Sequence, residues 1–290
     1  MTENEWLAER FETHREHLRA VAYRMLGSLT EADDAVQETW LKLSRSDADE
    51  VRNLGGWLTT VVGRVCLDML RSRTSRREVY PERMPDPVID PADGAHPEHQ
   101  ALIADSVGLA LLVVLDTLDP AERLAFVLHD MFALPFDEIA PIVDRTPAAA
   151  RQLASRARRR IQGTPTMPDG DLGRQREVVD AFFAAARDGN FAALVSVLDP
   201  DVVLRVEAAS LPAGASRLVH GAEAVAGQAL TFRQAGAGGR GVPALVNGAA
   251  GVLILRDGRP QTLFAFTVVN DLIAAIDIIS DPERLAGLTY

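Results

Sequence analysis

With 290 residues, 47% of them hydrophobic and 24% charged, the chain is long enough for two or three small domains and has an ordinary globular composition. A single cysteine, Cys66, excludes an intramolecular disulfide and fits a reducing compartment. The formal net charge of −11 argues against indiscriminate binding to nucleic acid, so the clusters of bases at 71–77 and 151–160 need a local explanation. The opening stretch MTENEWLAERFE has no apolar signal core, and no apolar run reaches the roughly 18 residues that span a bilayer. A cytoplasmic protein is expected, with no membrane partner.

Residues 6–75 read as helical. Thr30 followed by Asp33 is an N-capping pattern and starts a helix running to about Ser44. Ala32, Val36, Trp40 and Leu43 share its core face, while Asp34, Gln37, Glu38 and Leu41 lie on the other side. That second face is either a solvated acidic surface or a dock for a basic partner with Leu41 as its apolar anchor. The next helix, from Trp57 to about Arg73, buries Leu58, Val62, Val65, Cys66 and Met69; Cys66 is a packing residue there. Trp57, Arg64, Asp68 and Arg71 form a separate stripe. It suits single-stranded nucleic acid, with a base stacked on the tryptophan and arginines along the phosphates. The alternative is a tryptophan tucked under the preceding NLGG loop.

Residues 76–100 are rich in proline and charge, which blocks regular structure and marks a linker. Helical patterns return over 102–162. Ile139, Ile142 and Val143 give a short helix its apolar side, and Asp144-Arg145 makes a tight turn. Thr146 is a plausible N-cap, with Pro147 well placed in the first helical position. Two helices joined by a turn, the second opening on Ala148–Ala150 and then basic, make a helix-turn-helix pattern. The small residues allow close approach to a groove floor. Arg151, Gln152 and Ser155 then point along one side, where arginine can donate bidentately to guanine and glutamine to adenine. Basic residues also complement the C-terminal end of a helix dipole. Five arginines in 146–161 with no acid among them exceed that need and favour a DNA recognition helix.

A second linker covers 163–171. Residues 172–290 read as α+β. An amphipathic helix over 176–187 carries Val178, Val179, Phe182, Phe183 and Ala186 and is closed by Gly189-Asn190. The apolar runs VLILR, TLFAFTVV and LIAAIDIIS follow, divided by the hairpin signals Asp257-Gly258 and Asn270-Asp271, as in an antiparallel meander. The Gly-rich stretch at 235–241 reads as a mobile loop.

The blocks DDAVQETWLKL, NLGGWLTTVVGRVCLDMLRSR and LDPAERLAFVLHDMFALPFDEIAPIVDRTPAAARQLASRARRRI, in that order, resemble a bacterial extracytoplasmic-function sigma factor over residues 6–162. Residues 176–285 resemble a SnoaL-like domain of the NTF2-like superfold, a cone of helices around a curved sheet. The resemblance implies two all-α sigma domains, the second with a helix-turn-helix, followed by an α+β NTF2-like cone domain. The expected divisions are 1–75 (region 2), 76–104 (linker), 105–163 (region 4), 164–173 (linker) and 174–290 (cone).

The resemblance further implies contact with core RNA polymerase through its β′ clamp and β flap. The clamp contact maps onto Asp34, Gln37, Glu38 and Leu41, and −10 promoter contacts map onto Asn53, Trp57, Arg64 and Arg71. The −35 surface comprises Thr146, Ala148, Ala149, Arg151, Gln152, Ser155, Arg156, Arg158 and Arg159. Sigma factors with this extension form a group in which the extension tunes activity. The group's late asparagine-proline-aspartate-lysine-leucine motif has a relative in the regulatory residues Asp281, Pro282, Glu283, Arg284 and Leu285. Its linker motif is nearest to 83–87, Arg-Met-Pro-Asp-Pro, lacking the aromatic. Its aspartate-triple-glycine motif is replaced by Glu207-Ala208-Ala209-Ser210.

Two other readings stay open: a stand-alone helix-turn-helix regulator, and a cone-fold enzyme or ligand sensor with a DNA-binding appendage. Arg205, Glu207, His220 and Asp277 are the catalytic candidates of the last; Arg205 and Glu207, two apart on one strand, could instead pair with each other. No enzyme activity and no cofactor are expected, while the cone offers a place for a small-molecule ligand. His14 and His17, or His96 and His99, lack the companions that a zinc site needs.

Overall fold

The computed structural model describes residues 3–46, 53–76, 83–94, 108–162, 167–208, 211, 217–234 and 239–286. His96, His99, Ala209, Ser210 and most of the Gly-rich loop lie outside the described residues. The chain divides into two compact units, Met1–Pro81 with Leu112–Thr164, and Glu82–Leu111 with Pro165–Tyr290.

The first unit begins with three helices, α1 (Glu3–Leu26), α2 (Leu29–Leu43) and α3 (Leu54–Arg76). The cap of α2 is Ser28, whose side chain accepts from the Glu31 N–H, rather than Thr30 two residues on. Gly27, at φ 69°, supplies the left-handed turn that lets Ser28 take this place directly after α1. Helix α3 starts three residues before the sequence reading because Asn53 Oδ1 accepts from the Gly56 N–H at 3.1 Å. It is buried on more than one side. Leu58, Val62 and Cys66 are joined by Leu67 and Leu70, so the helix has contacts beyond its own three-helix layer.

Those contacts come from α5 (Pro120–Phe126), a π-helical turn (Val127–Met131) and α6 (Phe136–Val143), which follow α4 (Leu109–Asp116). A Cβ on Gly63 would lie 3.3 Å from Leu128 Cδ1, so glycine here allows α3 to approach Leu128, Leu124 and Ile142. Arg123, almost fully buried, donates through Nε and Nη2 to the Arg24 carbonyl at 3.2 and 3.1 Å, and through Nη1 to Asp116. It thereby engages a carbonyl in the last turn of α1, where intrahelical donors run out. The unit ends in α7 (Pro147–Ile161). Thr146 caps it, accepting from the Ala149 N–H at 3.3 Å, and Asp144 makes the turn from α6 in the left-handed region at φ 55°. Ala150, Ala154 and Ala157 form the buried face of α7; small side chains there let α5 and α6 pack closely.

The second unit sets α8 (Leu172–Asp188), α9 (Phe191–Ser196) and α10 (Ala222–Gln234) against one face of a seven-stranded sheet. In chain order the strands are β1 (Ile89–Pro91), β2 (Leu198–Glu207), β3 (Leu218–His220), β4 (Arg240–Val246), β5 (Ala249–Arg256), β6 (Arg259–Val269) and β7 (Leu272–Ile279), and α11 (Pro282–Ala286) closes the described chain. Their spatial order is β1-β4-β5-β6-β7-β2-β3. Strands β4 to β7 form the antiparallel meander read from the sequence, but β2 joins β7 in parallel. Asp257-Gly258 and Asn270-Asp271 turn with positive φ at both positions, as expected of such hairpins. Asn247-Gly248 makes a third such turn that the sequence reading passed over.

Two expectations are corrected. Arg240 and Gly241, read as part of a mobile loop, begin β4. The proline-rich segment read as irregular supplies β1, with Ile89, Asp90 and Pro91 paired to Val246, Leu245 and Ala244. Proline is tolerated because β1 lies at the sheet edge, where one row of hydrogen bonds is unused. Asn247 fixes the register. Its Oδ1 accepts from the Val88 N–H at 3.2 Å and its N–H donates to the Val88 carbonyl at 2.8 Å.

Candidate functional site

On α2 the residues Asp34, Gln37, Glu38 and Leu41 are all exposed, whereas Ala32, Ala35, Val36, Thr39 and Leu43 are buried. Leu41, 38% exposed, is an apolar side chain on an otherwise polar stripe. Lys42 lies 3.2 Å from Glu38, whereas Asp34 forms no ion pair among the described residues.

The α3 stripe divides. Arg71 and Asp68 are exposed and Trp57 is half-buried. Asn53 is exposed but spends its side-chain oxygen on capping. Arg64 reaches α6, where its Nη2 donates to the Pro141 carbonyl at 3.0 Å. His17 of α1 faces Thr59 Oγ1 at 3.2 Å and meets the Phe132 ring edge-on at 5.2 Å; Arg24 lies over the same ring at 5.0 Å. Burial, together with repulsion from the neighbouring His14 and Arg24, holds His17 below the usual histidine pKa.

The arginines of α7 are not equivalent. Arg158 pairs with Asp130 at 2.6 Å, and Arg156 and Arg160 flank the buried Glu122 at 3.9 and 3.2 Å. The acids absent from the segment itself are thus supplied by α5 and the π-helical turn. Arg151, Gln152, Ser155 and Arg159 are exposed. Thr146 and Ala148 are exposed as well, and Ala149 is half-buried.

In the second unit Arg205 does not pair with Glu207. The parallel register puts Arg205 opposite Asp277, and the guanidinium grips that carboxylate through Nε at 2.5 Å and Nη2 at 3.1 Å. Glu207 accepts from the Met84 N–H at 2.5 Å and from Arg284 Nη1. Arg284 Nη2 also donates to the Met84 and Pro85 carbonyls, each at 2.6 Å, and to Asp86. The linker motif at 83–87, the residue standing where the glycine-rich motif was expected, and the late motif at 281–285 therefore meet at one place. Sequence reasoning identified the two motifs but not Glu207 as the group joining them. Its replacement of aspartate was the available signal. Asp281 caps α11 through the Arg284 N–H, and Leu285 is buried.

Arg205, Glu207 and Asp277 alternate with Leu204, Val206, Ile276 and Ile278, which belong to the helix-facing core. The three thus lie on the opposite face of the sheet. The helix-facing side is filled by Phe182, Phe183, Phe264 and Phe266 at centroid distances of 5.3–6.2 Å. His220 is exposed at the end of β3. Among the described residues no three potential metal ligands cluster and no helix is long and apolar enough to cross a membrane.

Residues 10–76 match the family model for sigma-70 region 2 and residues 108–161 that for sigma-70 region 4. The ECF RNA polymerase sigma factor SigJ of Mycobacterium tuberculosis H37Rv is 38% identical over 289 residues, covering 96% of this chain and 92% of that protein. The probable ECF sigma factor SigI of M. tuberculosis CDC 1551 is 35% identical over 214 residues, covering 72% of each. The crystal structure of M. tuberculosis SigJ superposes with a TM-score of 0.76 at 35% identity, covering 97% of this chain and 98% of that one. With both sigma regions in order and near-complete coverage by a relative, the chain belongs to the extracytoplasmic-function sigma factors of the sigma-70 family.

Proposed function

We propose that this sigma factor docks on the polymerase β′ clamp through Asp34, Gln37, Glu38 and Leu41 and on the β flap through region 4. Trp57, Arg64, Arg71 and Asn53 contact the −10 element. The exposed face of α7, with Arg151, Gln152, Ser155 and Arg159, reads the −35 element, while Arg156 and Arg158 support that helix through Glu122 and Asp130. The observation that carries this reading is that one unit holds two exposed surfaces of opposite charge: an acidic stripe around an apolar anchor on α2, and a basic face on α7. The first suits a basic protein groove and repels phosphate; the second attracts it.

Promoter engagement has to displace Arg64 from the Pro141 carbonyl, so the packing of region 2 on region 4 competes with −10 contact. The cone domain acts on the linker. Arg284 and Glu207 clasp residues 84–86, shortening the free chain between the two sigma regions and so biasing how far they separate. Reconstituted transcription with core polymerase tests the scheme. Asp34→Arg/Leu41→Ala should abolish sigma-dependent transcripts, and Arg284→Ala should change their amount without changing the −35 sequence selected.

A further inference from the structure

Of the five arginines on α7, three face carboxylates, and a carboxylate consumes guanidinium donors. Arg151 has a different partner. Its guanidinium carbon lies 5.3 Å from the centroid of the Phe136 ring, inside the range of a cation–π contact. Phe136 is stacked in turn on His129, with centroids 3.8 Å apart and planes at 27°. His129 is fixed by its Nδ1, 2.9 Å from the Leu134 carbonyl. The platform has a local origin. The π-helical turn Val127–Met131 carries His129, Ala133 turns the chain at φ 54°, and the Leu134 N–H closes the loop on the Leu128 carbonyl. Phe136, the first residue of α6, then falls against the imidazole.

We propose that Phe136, held by His129, is a positioning residue that sets the direction of Arg151 for base reading. The inference rests on α7 being the −35 recognition helix. A ring contact restrains a long, exposed side chain without engaging its N–H groups, so the planar donor fork stays available for a guanine edge. An acid at position 136 would hold Arg151 as firmly but occupy the fork.

The test uses the full chain with core RNA polymerase and a promoter library randomised over the −35 element, with the selected sequences and the salt dependence both measured. Arg151→Ala should lower discrimination at one base pair by about tenfold or more. Phe136→Leu should lower it at that same base pair by about two- to fivefold, and Phe136→Tyr, which keeps the ring, should restore it. The salt slope should be unchanged by either Phe136 variant, since no phosphate contact is lost. If Arg151→Ala relaxes the preference but Phe136→Leu does not, the positioning role is overturned and α7 remains the reader. Equal weakening across all sequences in both Phe136 variants also overturns it. No change of preference in Arg151→Ala overturns the positioning role, and a preference that also survives the Arg151→Ala/Gln152→Ala/Ser155→Ala variant overturns the reading of α7 itself.

Discussion

Arg284→Ala should release residues 83–87 from the sheet of the second unit while leaving the rest of that unit folded. The Arg284 and Glu207 side chains are 7% and 12% exposed, so the substitution leaves a largely desolvated carboxylate with one remaining donor, the Met84 N–H. Breaking a buried pair costs about 3–5 kcal/mol; the surviving hydrogen bond and partial hydration place this case near 3 kcal/mol. The loss is local. Val88 stays tied to Asn247 at 3.2 and 2.8 Å, and β1 stays paired to β4. Native-state hydrogen exchange should then show the Met84 amide losing about a hundredfold in protection, at 1.4 kcal/mol per factor of ten. The Val246 and Ile276 amides should hold theirs. Glu207→Gln, which keeps the shape but not the charge, should give a smaller loss at the same amide. Unchanged protection at Met84 in Arg284→Ala would refute the clasp, and a loss spread over the whole sheet would refute its local character.

Other consequences follow from the first unit. His17 is depressed by burial, so the unfolded chain takes up protons first as pH falls below the ordinary value of about 6.5. Stability contributed by neutral His17 should be full above that pH and decline as pH falls toward the lowered value. Urea midpoints between pH 7 and 5 should fall more steeply for the native chain than for His17→Gln; equal slopes contradict this origin. Arg159→Ala should weaken promoter binding across all sequences and lower the salt slope by roughly one. Arg158→Ala, by removing the partner of Asp130, should affect thermal stability as well as binding. The Cys66 thiol, fully enclosed and pushed up to about 12, should resist iodoacetamide until the protein is unfolded, as mass spectrometry would record.

The helix-turn-helix was legible because its signals are local: Thr146, Pro147 and the Asp144 turn each act within a few residues. The acidic stripe of α2 was legible for the same reason, since helical period alone separates Leu41 from Leu43. What escaped depends on partners distant in sequence. Arg158 looks unpaired in its own segment because Asp130 lies 28 residues away. Arg205 has an acid two residues on, yet the parallel β2–β7 register supplies Asp277 from 72 residues away. Glu207 and Arg284 become meaningful only when the linker is drawn across the sheet by Asn247. Composition read that linker as irregular because three backbone pairings at an edge leave no hydrophobic period.

As a sigma factor, the chain directs promoter-specific initiation through core polymerase. The most direct test is run-off transcription from a genomic fragment library with purified core enzyme, with and without the full chain, and with Asp34→Arg/Leu41→Ala as the comparison. Transcripts should arise from a narrow set of start sites that share a −35 sequence, present with the native chain and lost with the double variant. Start sites that are the same with and without the chain, or that persist undiminished in the double variant, would contradict it.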